Sequence, residues 1–82
     1  MNDIDSRIAD TILAKLHERD PALGPEDLAR PVDDFDFDSL DLVELHQRLE
    51  SALQVRGDLT ETAGFLFLDE FSTYFRKLAG RE

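Results

Sequence analysis

Asp34-Phe35-Asp36-Phe37-Asp38-Ser39-Leu40-Asp41-Leu42-Val43-Glu44-Leu45 is the stretch that decides the fold. Its first half is acidic and turn-prone. Its second half opens a helix, in which Leu42, Leu45, Leu49 and Leu53 form one apolar stripe at the helical period. Asp38 suits the N-cap, because its carboxylate can accept from free amides of the first turn. Ser39 is then the first helical residue, with its hydroxyl at the positive end of the helix dipole. A phosphate esterified to that hydroxyl would meet unpaired amides and a favourable field.

At 100° per residue, Leu42, Leu45, Leu49, Ala52 and Leu53 fall on one side of this helix, the expected core face. Leu40, Val43 and Gln47 fall on another, flanked by Asp41 and Glu44, with Arg48 one turn beyond Glu44. An apolar stripe edged by carboxylates reads as a docking face, apolar for contact and acidic for steering toward basic partners. The plainer reading packs Leu40 and Val43 against the preceding loop. His46 stands seven residues after Ser39 and is expected on the same side, about two turns along.

The rest of the chain supplies scaffold. Eighty-two residues make one domain, 1–82, with a modest core, and 41% hydrophobic content is enough to fold it. Nineteen acids against nine bases leave a net charge of −10, which argues against nucleic acid and anionic lipid and favours basic partners. Without cysteine there is neither a disulfide framework nor a thiolate metal site. No apolar run approaches membrane-spanning length, and the first residues lack a signal-peptide core, so a soluble cytoplasmic protein is expected.

The first helix is expected from about Asp3 to Glu18, on a stripe of Ile8, Ile12 and Leu16 widened by Ile4, Ala9 and Leu13. Asn2 or Asp3 can cap it. Pro21 and Gly24-Pro25 end the pattern, and His17 reads as a solvated surface residue. Residues 19 to 38 form a long connection in which Pro25-Glu26-Asp27-Leu28 can make one helical turn. Leu23, Leu28, Val32, Phe35 and Phe37 are its expected anchors. A strand through Phe35 and Phe37 is rejected for want of a partner strand. Arg56-Gly57-Asp58 is a turn. A short third helix is expected within Thr60 to Leu68, and a fourth from about Asp69 to Ala79, with Gly80 as its stop. Leu68, Phe71, Phe75 and Leu78 form its buried stripe, with Tyr74 at the edge. Phe65, Phe67, Phe71 and Phe75 all read as core.

Asp38-Ser39-Leu40, followed by Asp41-Leu42-Val43-Glu44-Leu45, resembles the Asp-Ser-Leu motif and second helix of the acyl carrier proteins. The resemblance implies an all-α four-helix bundle of the acyl-carrier type, with a long first loop and a short third helix. It implies 4'-phosphopantetheine on Ser39, with Asp38 and Leu40 as motif neighbours, and acyl or related groups carried on it as thioesters. It implies a freestanding monomer that is no enzyme itself. Its partners would be a phosphopantetheinyl transferase and the acyl-loading, elongating or transferring enzymes of lipid or secondary-metabolite biosynthesis. They would dock through Leu40, Asp41, Val43, Glu44 and Gln47. One departure is Asp36, where the family usually has glycine two residues before the motif aspartate. His46 and Gln47 make the expected docking face more polar than in carriers of fatty-acid synthesis, which implies a dedicated pathway, polyketide or specialised lipid.

Two other functions compete. Asp34, Asp36 and Asp38 match the first ligand positions of a calcium loop, but position 6 is then Ser39 rather than glycine and position 12 is Leu45 rather than glutamate. An acidic helical adaptor without a covalent group would use Leu40 and Val43 and leave Ser39 a mere helix-start residue. An enzyme lacks support, since His17 and His46 stand in no nucleophile–base pattern.

Overall fold

Three amphipathic helices, α1 (Asp3–His17), α2 (Ser39–Leu53) and α4 (Leu68–Ala79), each bring one apolar stripe to a common core; a one-turn α3 (Leu59–Thr62) completes the set. The structure is a computed structural model and describes residues 3–80. Ile8, Ile12 and Leu16 of α1 meet Leu42, Leu45 and Leu49 of α2 and Leu68, Phe71 and Phe75 of α4, all buried. Burial of each such side chain contributes about 1.5–3 kcal/mol. Truncating one, as in Leu45→Ala, costs roughly 2–5 kcal/mol because a cavity is added to the lost transfer energy. The chain is all-helical among the described residues, its one β-type contact being an isolated antiparallel bridge between Pro31 and Phe67. No described helix is long and apolar enough to cross a membrane.

Helix α1 ends at His17, whose Nε2–H donates to the Leu23 carbonyl at 2.8 Å and so ties the connection back to the helix. The expected cap at Asn2 lies outside the described residues; Asp3 lies within the first turn. The connection holds two 3-10 turns. Pro25–Ala29 begins with proline, and Asp27 accepts from the Gly24 amide at 2.9 Å. Val32–Phe35 was not expected from the sequence. Val32, Phe35 and Phe37 are buried, whereas Leu23 and Leu28 pack partly buried against the core. Arg30 stacks 4.9 Å over the Phe35 ring and pairs with Asp27 and Asp34, so the connection is pinned from both sides.

The second half departs from expectation in two places. Helix α3 covers Leu59–Thr62 rather than the longer span to Leu68. Gly64 and the pull of the next element explain this. Val32 N–H donates to the Leu66 carbonyl at 2.9 Å, Leu68 N–H donates to the Arg30 carbonyl, and Glu70 accepts from the amides of Leu66 and Phe67. Residues 65–67 are thereby drawn into an extended entry to α4. Phe67 stands at its N-cap with 43% exposure, not in the core, while Phe65 is half-buried and Phe71 and Phe75 are enclosed. Helix α4 ends at Ala79, and Gly80 N–H closes on Arg76 O.

Candidate functional site

The start of α2 is built by Asp38 and Asp41 together. Asp38 Oδ1 accepts from Asp41 N–H at 2.9 Å, and Asp41 Oδ2 accepts from Asp38 N–H at 3.1 Å, a reciprocal capping box. Ser39 follows as the first residue of a 15-residue helix and is exposed. Asp36, just upstream, takes a left-handed conformation with φ 57° and ψ 34°. Aspartate tolerates that region better than most residues, though glycine fits it best. The chain therefore turns into α2 without the glycine whose absence marked this position.

Ser39 and Leu40 amides carry no hydrogen bond among the described residues, because the cap has taken Asp41 N–H and Asp38 O has taken Leu42 N–H. A phosphodiester on Ser39 Oγ fits here: two free donors, the positive helix end and open solvent receive it. Leu40 points away from the bundle at 75% exposure.

Asp41, half-buried, and Glu44, half-exposed, line the α1–α2 seam. Lys15 of α1 is buried, its side chain 4% exposed, and its Nζ donates to Asp41 Oδ1 at 3.0 Å and to Glu44 Oε1. Arg19 reaches Asp41 Oδ2 at 2.6 Å, and Arg48 bridges Glu18 at 2.6 Å and Glu44 at 3.3 Å. Lys15 and Arg19 each stand 5.7 Å from the Phe37 ring centroid. The Asp38 amide, together with Lys15 and Arg19 against the opposing effect of burial, holds the Asp41 carboxyl far below the usual carboxylate range. Glu44 is lowered by Lys15 and then Arg48. Burial acts to lower the Lys15 ammonium, but the Glu44 and Asp41 carboxylates raise it overall.

Of the expected docking residues, Leu40 and Gln47 are exposed and Val43 is half-buried. His46 is a correction. It is 2% exposed and points between α3 and α4 rather than along the Ser39 side. Nδ1 lies 2.7 Å from Thr62 Oγ1 and Nε2 lies 3.0 Å from Glu50 Oε2, while the ring meets Phe75 edge-on at 5.3 Å. At 100° per residue a step of seven drifts from Ser39 toward the buried stripe, and the neighbouring Leu45 and Leu49 carry it inside. Sequence reasoning also missed Lys15, Arg19, Glu50 and Thr62. Lys15 had a readable signal: it stands three residues after Ile12 and beside Leu16, on the buried stripe of α1.

Comparisons with protein-family models, with curated proteins and with solved structures find no match to this chain.

Proposed function

We propose that the chain is a carrier protein of the acyl-carrier type, a single domain that bears acyl or related groups on 4'-phosphopantetheine attached to Ser39. The carrying observation is the placement of Ser39 within Asp38-Ser39-Leu40: an exposed serine at the first position of α2, beside two amides without partners among the described residues and a closed capping box. The arm, when bound, supplies a thiol that holds the cargo as a thioester. The chain's own part is positional. Asp38 and Asp41 fix the helix start, Ser39 and Leu40 amides receive the phosphate, and Leu40 stands out toward partner enzymes of lipid or secondary-metabolite biosynthesis. No bond chemistry falls to the domain itself. His46 belongs to the interior, so of the two polar residues that pointed to a dedicated pathway only Gln47 remains on the surface.

The test is intact mass after incubation with coenzyme A and a broad-specificity phosphopantetheinyl transferase. Wild type gains one phosphopantetheine, and Ser39→Ala gains none while its far-UV dichroism is unchanged. Modification that survives Ser39→Ala, or a wild type that is never modified, would falsify the carrier reading and leave the adaptor.

A further inference from the structure

An open groove of about 360 Å³ runs along α4, lined by Phe65, Asp69, Glu70, Thr73, Tyr74 and Lys77. Phe65 and Tyr74 supply its aromatic part, their ring centroids 5.8 Å apart and edge-on. Phe65 also meets the buried Phe71 at 5.1 Å, and the Tyr74 hydroxyl accepts from Asp58 N–H at 2.6 Å. Both rings are thus fixed by the chain behind them.

Asp69, Thr73 and Lys77 recur at every fourth position of this face and are all exposed. The Asp69 and Lys77 side chains make no ion pair among the described residues, whereas Arg76 beside them is held by Asp5 at 2.6 Å. Glu70 is engaged too, its Oε2 accepting from the Leu66 and Phe67 amides. The helix dipole accounts for acids in the first turn of α4 and bases in the last. It does not account for an aromatic groove between them. Thr73 is the midpoint, one turn or about 6 Å of rise from each free charge. A face with an acid and a base equidistant from its centre is its own complement when turned end for end. A two-fold axis through Thr73 sets Asp69 of each copy on Lys77 of the other. Threonine at the crossing lets two helices approach closely.

We propose that this face is a contact between two copies of the chain, α4 antiparallel to α4, with Thr73 on the axis, two Asp69–Lys77 pairs, and the aromatic groove covered. It departs from the monomer that the acyl-carrier resemblance implies, and it does not depend on Ser39. A net charge of −10 on each chain opposes self-association, so the dimer is weak and forms as concentration rises. The groove itself holds only two acids against one base, and backbone amides engage one of those acids. A foreign surface of one sign would match one end of the groove and meet like charge at the other. Anionic lipid and nucleic acid find a single lysine there.

The experiment is sedimentation equilibrium of the full chain over a concentration series at physiological ionic strength. Wild type should pass from monomer to dimer. Asp69→Lys sets like charges at both pairs and should raise the dissociation constant at least about tenfold, as should Lys77→Asp. Mixed in equal amounts, these two variants should associate again, since each supplies the charge that the other lacks. Asp10→Lys on α1, exposed and outside the groove, makes the same change in net charge as Asp69→Lys and should not weaken the dimer. The chain has no cysteine, so Thr73→Cys reports the axis: on oxidation it should form a disulfide-linked dimer faster than Asp10→Cys. A wild type that stays monomeric throughout would overturn the proposal and leave the groove to a partner of another sequence. So would a mixture that fails to associate, an equal loss from Asp10→Lys, or equal cross-linking of the two cysteine variants.

Discussion

On one flank of α2, Asp41 and Glu44 close over the buried Lys15 of α1. On the other, His46 lies buried between Thr62 of α3 and Glu50 of its own helix. The first flank is redundant: Lys15 meets three acids, and Arg19 and Arg48 provide those acids with second partners. The second is a single relay. The Glu50 carboxylate can only accept, so His46 Nε2 carries a proton toward it, while Nδ1 lies against the Thr62 hydroxyl, which also faces the Leu59 carbonyl at 3.3 Å. Glu50 also receives the Gly57 amide at 2.8 Å, and Asp58 N–H donates to the Tyr74 hydroxyl at 2.6 Å. Helix α3 has four residues, of which only Thr62 is buried. Polar pins hold it where apolar stripes hold the other helices. Redundant charge makes a stiff seam, and a single relay makes the segment that opens first.

The largest expected effect breaks the stiff flank. Lys15→Met keeps most of the side-chain volume and removes the ammonium. Asp41 and Glu44 then face a seam with fewer cations. Breaking a fully buried pair costs about 3–5 kcal/mol, and here roughly 2–3 is expected, because Arg19 and Arg48 remain and Glu44 is half-exposed. Urea denaturation measures it. A loss below about 1 kcal/mol would show that apolar packing alone holds α1 on α2.

Thr62→Val tests the other flank with a smaller expected loss of about 1–2 kcal/mol, since the isosteric change leaves His46 Nδ1 buried without its partner. Its location matters more than its size. Amide exchange should quicken over residues 58–64, with little change around Lys15 and Asp41. Uniform quickening would mean that α3 unfolds with the bundle and is no separate unit.

Much of this comparison was legible before the structure, but unevenly. The apolar stripes, aliphatic in α1 and α2 and partly aromatic in α4, mark three helices, those of α1 and α4 with ends close to those observed, because burial along one face imposes the helical period. Asp38 as cap and Ser39 as first residue were legible too, because capping is local chemistry. What the sequence could not show was which elements would face the flanks of α2. Asp41 and Glu44 read as solvent-facing because their cations lie 22 to 29 residues away in the chain. His46 read as surface because a histidine can satisfy two polar partners inside, and Thr62 is supplied by another helix. Phe67 reads as core as one of a set of aromatics at helical spacing, whereas it stands before the helix in a backbone bridge to Pro31 and is exposed.

The smallest effect separates the flanks by acid. Asp41 and Glu44 on the seam are held below their ordinary values, and so are Glu50, through the Gly57 amide and then His46, and Asp58, through Thr60. A carboxyl depressed in the folded state contributes stability above its unfolded value, near 4, and loses it as pH falls through the folded value. Wild-type stability should therefore hold above about pH 5 and decline below about 4. One proton limits the slope from any one group to about 1.4 kcal/mol per pH unit. Asp41 is the most depressed of the four and has three partners, two of them cations, so Asp41→Asn should flatten the acid limb by a fraction of that slope. Asp58→Asn should flatten it less, because its strongest partner, Thr60, is neutral and its side chain is exposed. Urea midpoints taken from pH 7 to pH 3 measure both. Equal slopes for the two variants would place acid sensitivity outside the seam and remove the distinction between a charge-locked flank and a relay-locked one.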